Sequence, residues 1–437
     1  MKDFNGKYKS QFNYILSNYK FRFNVVTGYY EFMKLKKGKP IGEWKKYDDR
    51  TKNKILIEMF DEDLDISQDK FNIFVESEIV SPDYNPFEEY FSNIKRWDGK
   101  TDYLDEICKT IKTDDPSRFK SVMKKFLVGV LDCLMEEDAV NDVCLVFQSG
   151  QGVGKTRWMR KLLPERFRSE YLYEGNIDTR NNDHIQYLAQ YWFIHLDELE
   201  VLKGNEIGAI KSYITRQRIS VRKAYGRYKA KFVRRASFLG SVNDDKFLSD
   251  ITGARRWLVF IVKEIDYEHK VNIDGLWAQI YHYWSEGFQH WFDTVEIKAI
   301  NKINETFRQM SSEEEQLLQL FSFPHEDHHG QWMSSSDVIA TLISARPLMA
   351  SKLITNKMGK ALGKYVKSKK VTNGVQRYLV KFEGEDKNER DRQLPDDEKV
   401  DFDFSEEVKE TETIINEIEP ERNNKGDDSD WEDELPF

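Results

Sequence analysis

Apolar residues fall in short runs separated by polar and turn-forming stretches, and the period of each run predicts an element. Over residues 1–83, brief β-like runs (Asn24–Thr27 and Lys54–Ile57) alternate with basic turns, which predicts a small α+β module. Ser81-Pro-Asp-Tyr-Asn-Pro86 is a turn-rich boundary. A helical region follows over 84–138, with Phe126–Met135 facing a core. The period then changes. Val143–Val146, Tyr191–Leu196 and Ala236–Val242 are nearly continuous apolar runs, the pattern of strands buried on both faces of a parallel sheet. An α/β core is expected over 139–300. In the unit 311–383, Ser334 caps a helix over Val338–Ser344 and a second helix spans Lys352–Lys367. Asn373-Gly374 then turns a hairpin within Lys370–Lys381, so this unit reads as a winged-helix-like domain. Residues 384–437 are poor in apolar side chains and read as a disordered acidic tail.

Charge sharpens this division. The tail holds 22 acidic and 7 basic residues, a net of −15, which leaves 54 acidic against 60 basic residues, a net of +6, in the remainder. A mildly basic body with an acidic arm suits a nucleic-acid partner. Cys108, Cys133 and Cys144 are too few for a disulfide framework, so a reducing cytoplasm is expected. No apolar signal region or membrane-length run is present, and no membrane partner is expected. His325, His328 and His329 lack a second ligand pair and read as a polar loop, not a metal site.

The sharpest chemistry follows the first buried run. Ser149-Gly150-Gln151-Gly152-Val153-Gly154-Lys155-Thr156 lies between a predicted strand and a predicted helix. Glycines let backbone N–H groups curl around phosphate oxygens, and the helix start adds positive potential. In such a phosphate-binding loop, Lys155 reaches the β- and γ-phosphates of ATP, and Thr156 ligates Mg2+. Asp197 and Glu198 end the second run, at the sheet edge where ligands bind in open α/β folds. Asp197 is the second candidate Mg2+ residue, and Glu198 is placed to polarise the attacking water. Asn243 ends the third run as a candidate contact to that water or the γ-phosphate. Arg255 and Arg256 follow a glycine turn, and either guanidinium suits charge stabilisation on a transferring phosphoryl group.

Residues 219–233 predict a β-hairpin turning near Gly226. Its Arg222, Lys223, Tyr225, Arg227, Lys229 and Lys231 mix cations with aromatic rings, the composition of a single-strand contact. Lysines of the 352–381 segment suggest a duplex DNA contact, with protein docking as the alternative. The tail ends Asp430-Trp-Glu-Asp-Glu-Leu-Pro-Phe437, similar to the acidic tip of bacterial single-stranded DNA-binding proteins. Leu435, Pro436 and Phe437 are therefore candidates for capturing host replication proteins.

Taken together, Tyr84–Gly99 with its Trp97-Asp98-Gly99, the phosphate loop, Leu196–Leu199, the Arg222–Gly226 hairpin, Ser241–Asn243 and Phe247–Trp257 resemble the virulence-associated protein E family. That family comprises helicase-like ATPases of phages and mobile elements, close to superfamily 3 and the poxvirus-type primase–helicases. The resemblance spans roughly residues 84–262. It implies an AAA+-like, superfamily 3 type core, a homo-oligomeric ring of hexamer type, and a basic hairpin pointing into the channel. It also implies that one of the two arginines acts on a neighbouring subunit's nucleotide. Relatives often carry a primase domain. The N-terminal stretch here lacks an evident primase carboxylate cluster, so a separate primase is the expected partner. The reading that results is an ATP-dependent replicative DNA helicase or initiator of a mobile element. Its alternatives are an ATPase that loads or remodels another helicase, a DNA-triggered defence ATPase, or a nucleotide-locked scaffold.

Overall fold

The computed structural model describes residues 6–175, 177–201, 204–222, 229–248, 253–325, 329–349 and 351–384. Lys223, Tyr225, Arg227, His328, Leu435, Pro436 and Phe437 lie outside the described residues, as do the side chains of Arg222 and Lys229.

The chain opens with α1 (Lys9–Asn18), β1 (Tyr19–Asn24), β2 (Tyr29–Lys36), β3 (Lys39–Lys46), α2 (Asp49–Phe60), α3 (Gln68–Val75) and β4 (Asp83–Tyr84). Strands run β3-β2-β1-β4, antiparallel except for the β1–β4 pair. Two local expectations change here. Lys54–Ile57 is helical, within α2. Asp48 caps that helix through Thr51 N (2.7 Å), and Ile55 and Met59, one turn apart, bury against Tyr19 and Phe21. The helical burial period outweighs the β preference of Ile-Leu-Ile. Asn24 ends its strand and does not begin one. Its Oδ1 accepts from Val26 N (3.0 Å) and Thr27 N (3.1 Å), which folds the chain into a turn.

Next come α4 (Pro86–Asn93), α5 (Tyr103–Lys109), β5 (Ile111–Thr113) and α6 (Pro116–Met135). This stretch is mostly helical, as its pattern predicts, but β5 is a strand that joins the central sheet. Asp115 caps α6, and Pro116 occupies the first turn, where no N–H is needed.

The central elements are β6 (Cys144–Gln148), α7 (Lys155–Lys161), α8 (Arg168–Tyr171), β7 (Leu172–Glu174), α9 (Asn182–Gln190), β8 (Phe193–Leu196), α10 (Gly204–Ile214), β9 (Ile219–Arg222), β10 (Lys229–Phe232), β11 (Ser237–Val242) and β12 (Trp257–Ile265). The sheet runs β5-β12-β6-β11-β8-β7; its last five strands are parallel, and β5 alone is antiparallel. Alternation sorts the side chains onto two faces. Leu145, Phe147, Phe193, Leu239, Leu258 and Phe260 pack with Phe126 of α6, Trp158 of α7, and Trp277 of α11 (Ile273–Ser285). Cys144, Val146, Ile194, Phe238 and Val259 pack on the other face with Leu188 of α9 and Ile210 of α10. Both faces are covered, so the strands read as unbroken apolar runs.

After α12 (Thr294–Glu305), the chain forms α13 (Ser312–Leu320), β13 (Phe321–Ser322), β14 (Gln331–Met333), α14 (Ser335–Ala345), α15 (Thr355–Tyr365), β15 (Lys369–Thr372) and β16 (Val375–Phe382). Ser334 and Asp337 form a reciprocal capping box at α14. Asn373 (φ 51°) and Gly374 (φ 75°) make the tight β15–β16 turn that their sequence predicts. These helices and the hairpin close over their own core of Leu317, Val338, Leu342, Met358 and Leu362.

Candidate active site

Strand order decides which loops meet. β11 lies between β6 and β8, so the carboxyl ends of all three open at one edge. The Gly-rich loop 149–154 leaves β6 there and enters α7 directly. Gly152 (φ 85°) and Gly154 (φ 99°) occupy left-handed backbone. A side chain at Gly154 would also bring its Cβ within 2.3 Å of the Tyr267 ring. Glycine is thus required at Gly154 twice, for conformation and for close approach.

Lys155 is buried at the start of α7. Its Nζ donates to Ser149 O (2.9 Å), Ser149 Oγ (3.0 Å), Gly150 O (3.2 Å) and Asn243 Oδ1 (3.0 Å). Burial pulls its pKa below the ordinary lysine value, and Glu200 and Asp197 oppose that shift. Ser149, where the usual motif carries glycine, thus supplies a ligand to the lysine. Its own N–H donates to Val242 O (3.2 Å) and ties the loop to β11. Thr156 follows as the second residue of α7.

Asp197 and Glu198 leave β8 at the same edge, both exposed. Asp197 Oδ1 accepts from Ser241 Oγ and from Glu198 N (3.1 Å). Glu198 adopts φ 53°, a conformation that costs a non-glycine residue of order 1 kcal/mol or more. The strain turns the chain sharply after Asp197 and sends it into Leu199–Val201.

Asn243 lies beyond β11 and bridges two segments. Its Oδ1 takes the Lys155 proton donor, while its Nδ2 (2.9 Å) and N (3.1 Å) donate to Glu200 Oε1. Glu200 was not singled out in the sequence, although it continues the acidic run Asp197-Glu198-Leu199-Glu200. Its Oε2 is buried without a hydrogen-bond partner among the described residues. Tyr267 was also missed. It stacks against Gly154, with the Arg157 guanidinium 5.1 Å from its ring centroid. No local motif marks it, because it reaches the loop only through the β12–β6 pairing.

Arg255 and Arg256 stand at the opposite edge. They immediately precede β12, whose Trp257–Ile261 pairs in register with Cys144–Gln148 of β6. Five paired residues separate the arginines from the Gly-rich loop, roughly 17 Å along the strands. Arg255 is exposed, whereas Arg256 folds back with Nη1 3.4 Å from Gly253 O. The segment is held by Asn304, whose buried Nδ2 donates to Ala254 O (2.7 Å) and Trp257 O (2.8 Å).

The β9–β10 hairpin enters β11 from that same amino edge. Lys231 is exposed on it. The next two cations are structural. Arg234 donates to Asn141 O and Ala236 O (both 3.1 Å) and Arg235 donates to Leu134 O, which anchors the hairpin root.

Solved structures with related outlines include the apo structure of the NrS-1 C terminal region (305-718), at 12% identity and TM-score 0.43 over 85% of this chain and 98% of that one. An A form apo structure of the same region gives the same values. No curated protein matches the chain. No helix among the described residues is long and apolar enough to cross a membrane. Residues 92–309 match the virulence-associated protein E-like domain, and through that segment the chain belongs to the virulence-associated protein E-like family.

Proposed function

We propose that the carboxyl edge of the central sheet is an ATP-hydrolysing site of the P-loop type. The observation that carries this reading is the convergence on Lys155 of the Gly-rich loop and Asn243, with Asp197 and Glu200 close enough to act on its charge. Three segments far apart in sequence thus meet at one ammonium. The sheet order supports it too, since the Gly-rich strand lies between β11 and β12 and the acidic strand β8 lies beyond β11.

Loop N–H groups and Lys155 would cradle the phosphates. Thr156 and Asp197 suit a hard cation such as Mg2+: Ser241 occupies one Asp197 oxygen and orients the other. The metal, when bound, neutralises phosphate charge. Glu198 would take the proton of the attacking water. Asn243 and Glu200 would hold Lys155 in register, so that charge stabilisation is prepared before reaction.

The wider reading is an ATP-dependent replicative DNA helicase or initiator ATPase of a phage or mobile element, acting as a homo-oligomeric ring, hexameric by resemblance. Family membership and the basic hairpin at the amino edge support it. In that ring the hairpin, including Lys231, contacts single-stranded DNA. The lysines of α15 and β15 suit duplex DNA. Leu435–Phe437 would engage host replication proteins, and a separate primase would supply primers.

The test is ATP turnover by wild type and Glu198→Gln, with and without single-stranded DNA, alongside fork unwinding. DNA-stimulated turnover and unwinding, both lost in the variant by roughly 10²-fold or more, are expected. Stimulated turnover without unwinding would favour a helicase loader, and no turnover would leave a scaffold.

A further inference from the structure

The N-terminal sheet has no part in the ATPase reading, yet it concentrates positive charge. Tyr19–Tyr47 holds eight basic and two acidic residues, a net of +6, as large as the net of all residues before the tail. The folded chain arranges this charge along a groove. β2 and β3 form one wall and α2 the other, around a volume of about 470 Å³. Lys34, Lys45, Arg50 and Lys54 line it, above an apolar floor that includes Phe32 and Ile55.

Acid in the groove is sparse. Glu43 lines it, and Glu58 at its end is engaged by Lys34 (3.1 Å) and Tyr19. Lys45, Arg50 and Lys54 are exposed and make no ion pair among the described residues. The row continues beyond the groove. Lys36 and Lys39 pair across the β2–β3 ladder on the same face as Lys34, and the turn at Lys37 (φ 52°) and Gly38 (φ 74°) adds one more cation. Residues two apart on a strand stand about 7 Å apart on one face. The cations therefore form an extended row, not a cluster around one point. A row suits a repeating polyanion more than a single acidic side chain or terminus.

The sheet's other face repeats the chemistry with aromatic rings. The Arg22 guanidinium lies between Trp44 (4.2 Å) and Tyr84 (3.6 Å) but is paired with Glu31 (2.7 Å) and Glu89 (3.2 Å), whereas Lys46 covers one side of Tyr29 (3.5 Å), which remains 47% exposed. Tyr84 and Lys231 also line a common groove of about 460 Å³, so this sheet borders the root of the β9–β10 hairpin.

We infer that the groove between β2–β3 and α2 is a second nucleic-acid contact, holding a single strand by its phosphates while the floor accepts sugar and base carbons. This contact does not depend on the ATPase reading, because it shares no residue with the Gly-rich loop.

The experiment measures binding of a labelled oligo-dT by fluorescence anisotropy to the full chain, without nucleotide, from 50 to 200 mM salt. Wild type is compared with Lys45→Gln/Arg50→Gln/Lys54→Gln. These side chains are exposed, and an unchanged thermal midpoint verifies the fold. Loss of three phosphate contacts should reduce the log–log salt slope by about 2 and weaken binding at low salt by roughly tenfold or more. Unchanged affinity and slope would overturn the inference. So would a loss confined to a blunt duplex, or a loss only for a peptide of residues 427–437, which would assign the groove to an acidic peptide. ATP turnover without DNA, measured in parallel, separates failure of the groove from failure of the ATPase reading.

Discussion

The two edges of the central sheet are built differently. At the carboxyl edge, Lys155, Asn243 and Glu200 form one hydrogen-bonded set and Ser241 and Asp197 another, all within one chain. At the amino edge, Arg255 extends from a short turn into solvent, and only the backbone of that turn is fixed, by Asn304. One edge is held by contacts inside the chain, whereas the other presents a cation that makes no hydrogen bond or ion pair among the described residues. Sheet register forbids the arginine from reaching its own loop. The role proposed for Arg255 in hydrolysis would therefore be exercised on a second copy, with amino edge facing carboxyl edge.

The comparison is broken most directly by mixing. Arg255→Ala should reduce ATP turnover by about 10³-fold, the scale of a lost arginine finger. Lys155→Ala should be inactive as well, but for a reason internal to its own site. Mixed assemblies of the two variants should regain measurable turnover, because some interfaces then pair an intact loop with an intact arginine. No recovery at any mixing ratio would assign Arg255 a role within its own chain.

Gly154→Ala tests the rigidity of the carboxyl edge. The added Cβ meets Tyr267 and the backbone at φ 99° resists any side chain, so destabilisation of about 1–3 kcal/mol is expected in chemical denaturation. Adding Tyr267→Ala should remove the collision but not the backbone strain, leaving a partial recovery.

Asn304→Ala tests the amino edge in the same way. Two carbonyls lose their donor, at a cost of about 1–3 kcal/mol in the same assay. If the edges are separable, this variant should retain nucleotide affinity while losing turnover in the assembled protein. The smallest effect is expected from Asn243→Ala, about tenfold in turnover for the lost side-chain hydrogen bonds to the Lys155 ammonium and to Glu200. A loss as large as that of Lys155→Ala would make Asn243 an equal partner in the chemistry.

Much of this arrangement was legible beforehand. The buried parallel strands announced themselves as unbroken apolar runs. The Asn373-Gly374 turn and the Ser334 cap rest on side-chain chemistry that operates within four residues. Local preference and burial disagree in two places. Lys54–Ile57 carries β-favouring residues, yet Ile55 and Met59 share one helical face. β5 was invisible because three residues show no period, and pairing with β12 defines it.

The sequence by itself determined the chemistry available: a glycine loop ending in Lys155-Thr156, paired acids at Asp197-Glu198, paired arginines at Arg255-Arg256, and lysines crowded near residue 40. Short-range physics sets these features, since φ preferences, caps and period act over a few bonds. Tertiary structure alone decided their company. It brought Asn243 and Glu200 to Lys155, Tyr267 to Gly154, and Arg50 and Lys54 opposite Lys34 and Lys45. It also sent Arg255 to the far edge. Those choices follow from strand order and from which face each side chain buries, and both are properties of contacts between segments distant along the chain.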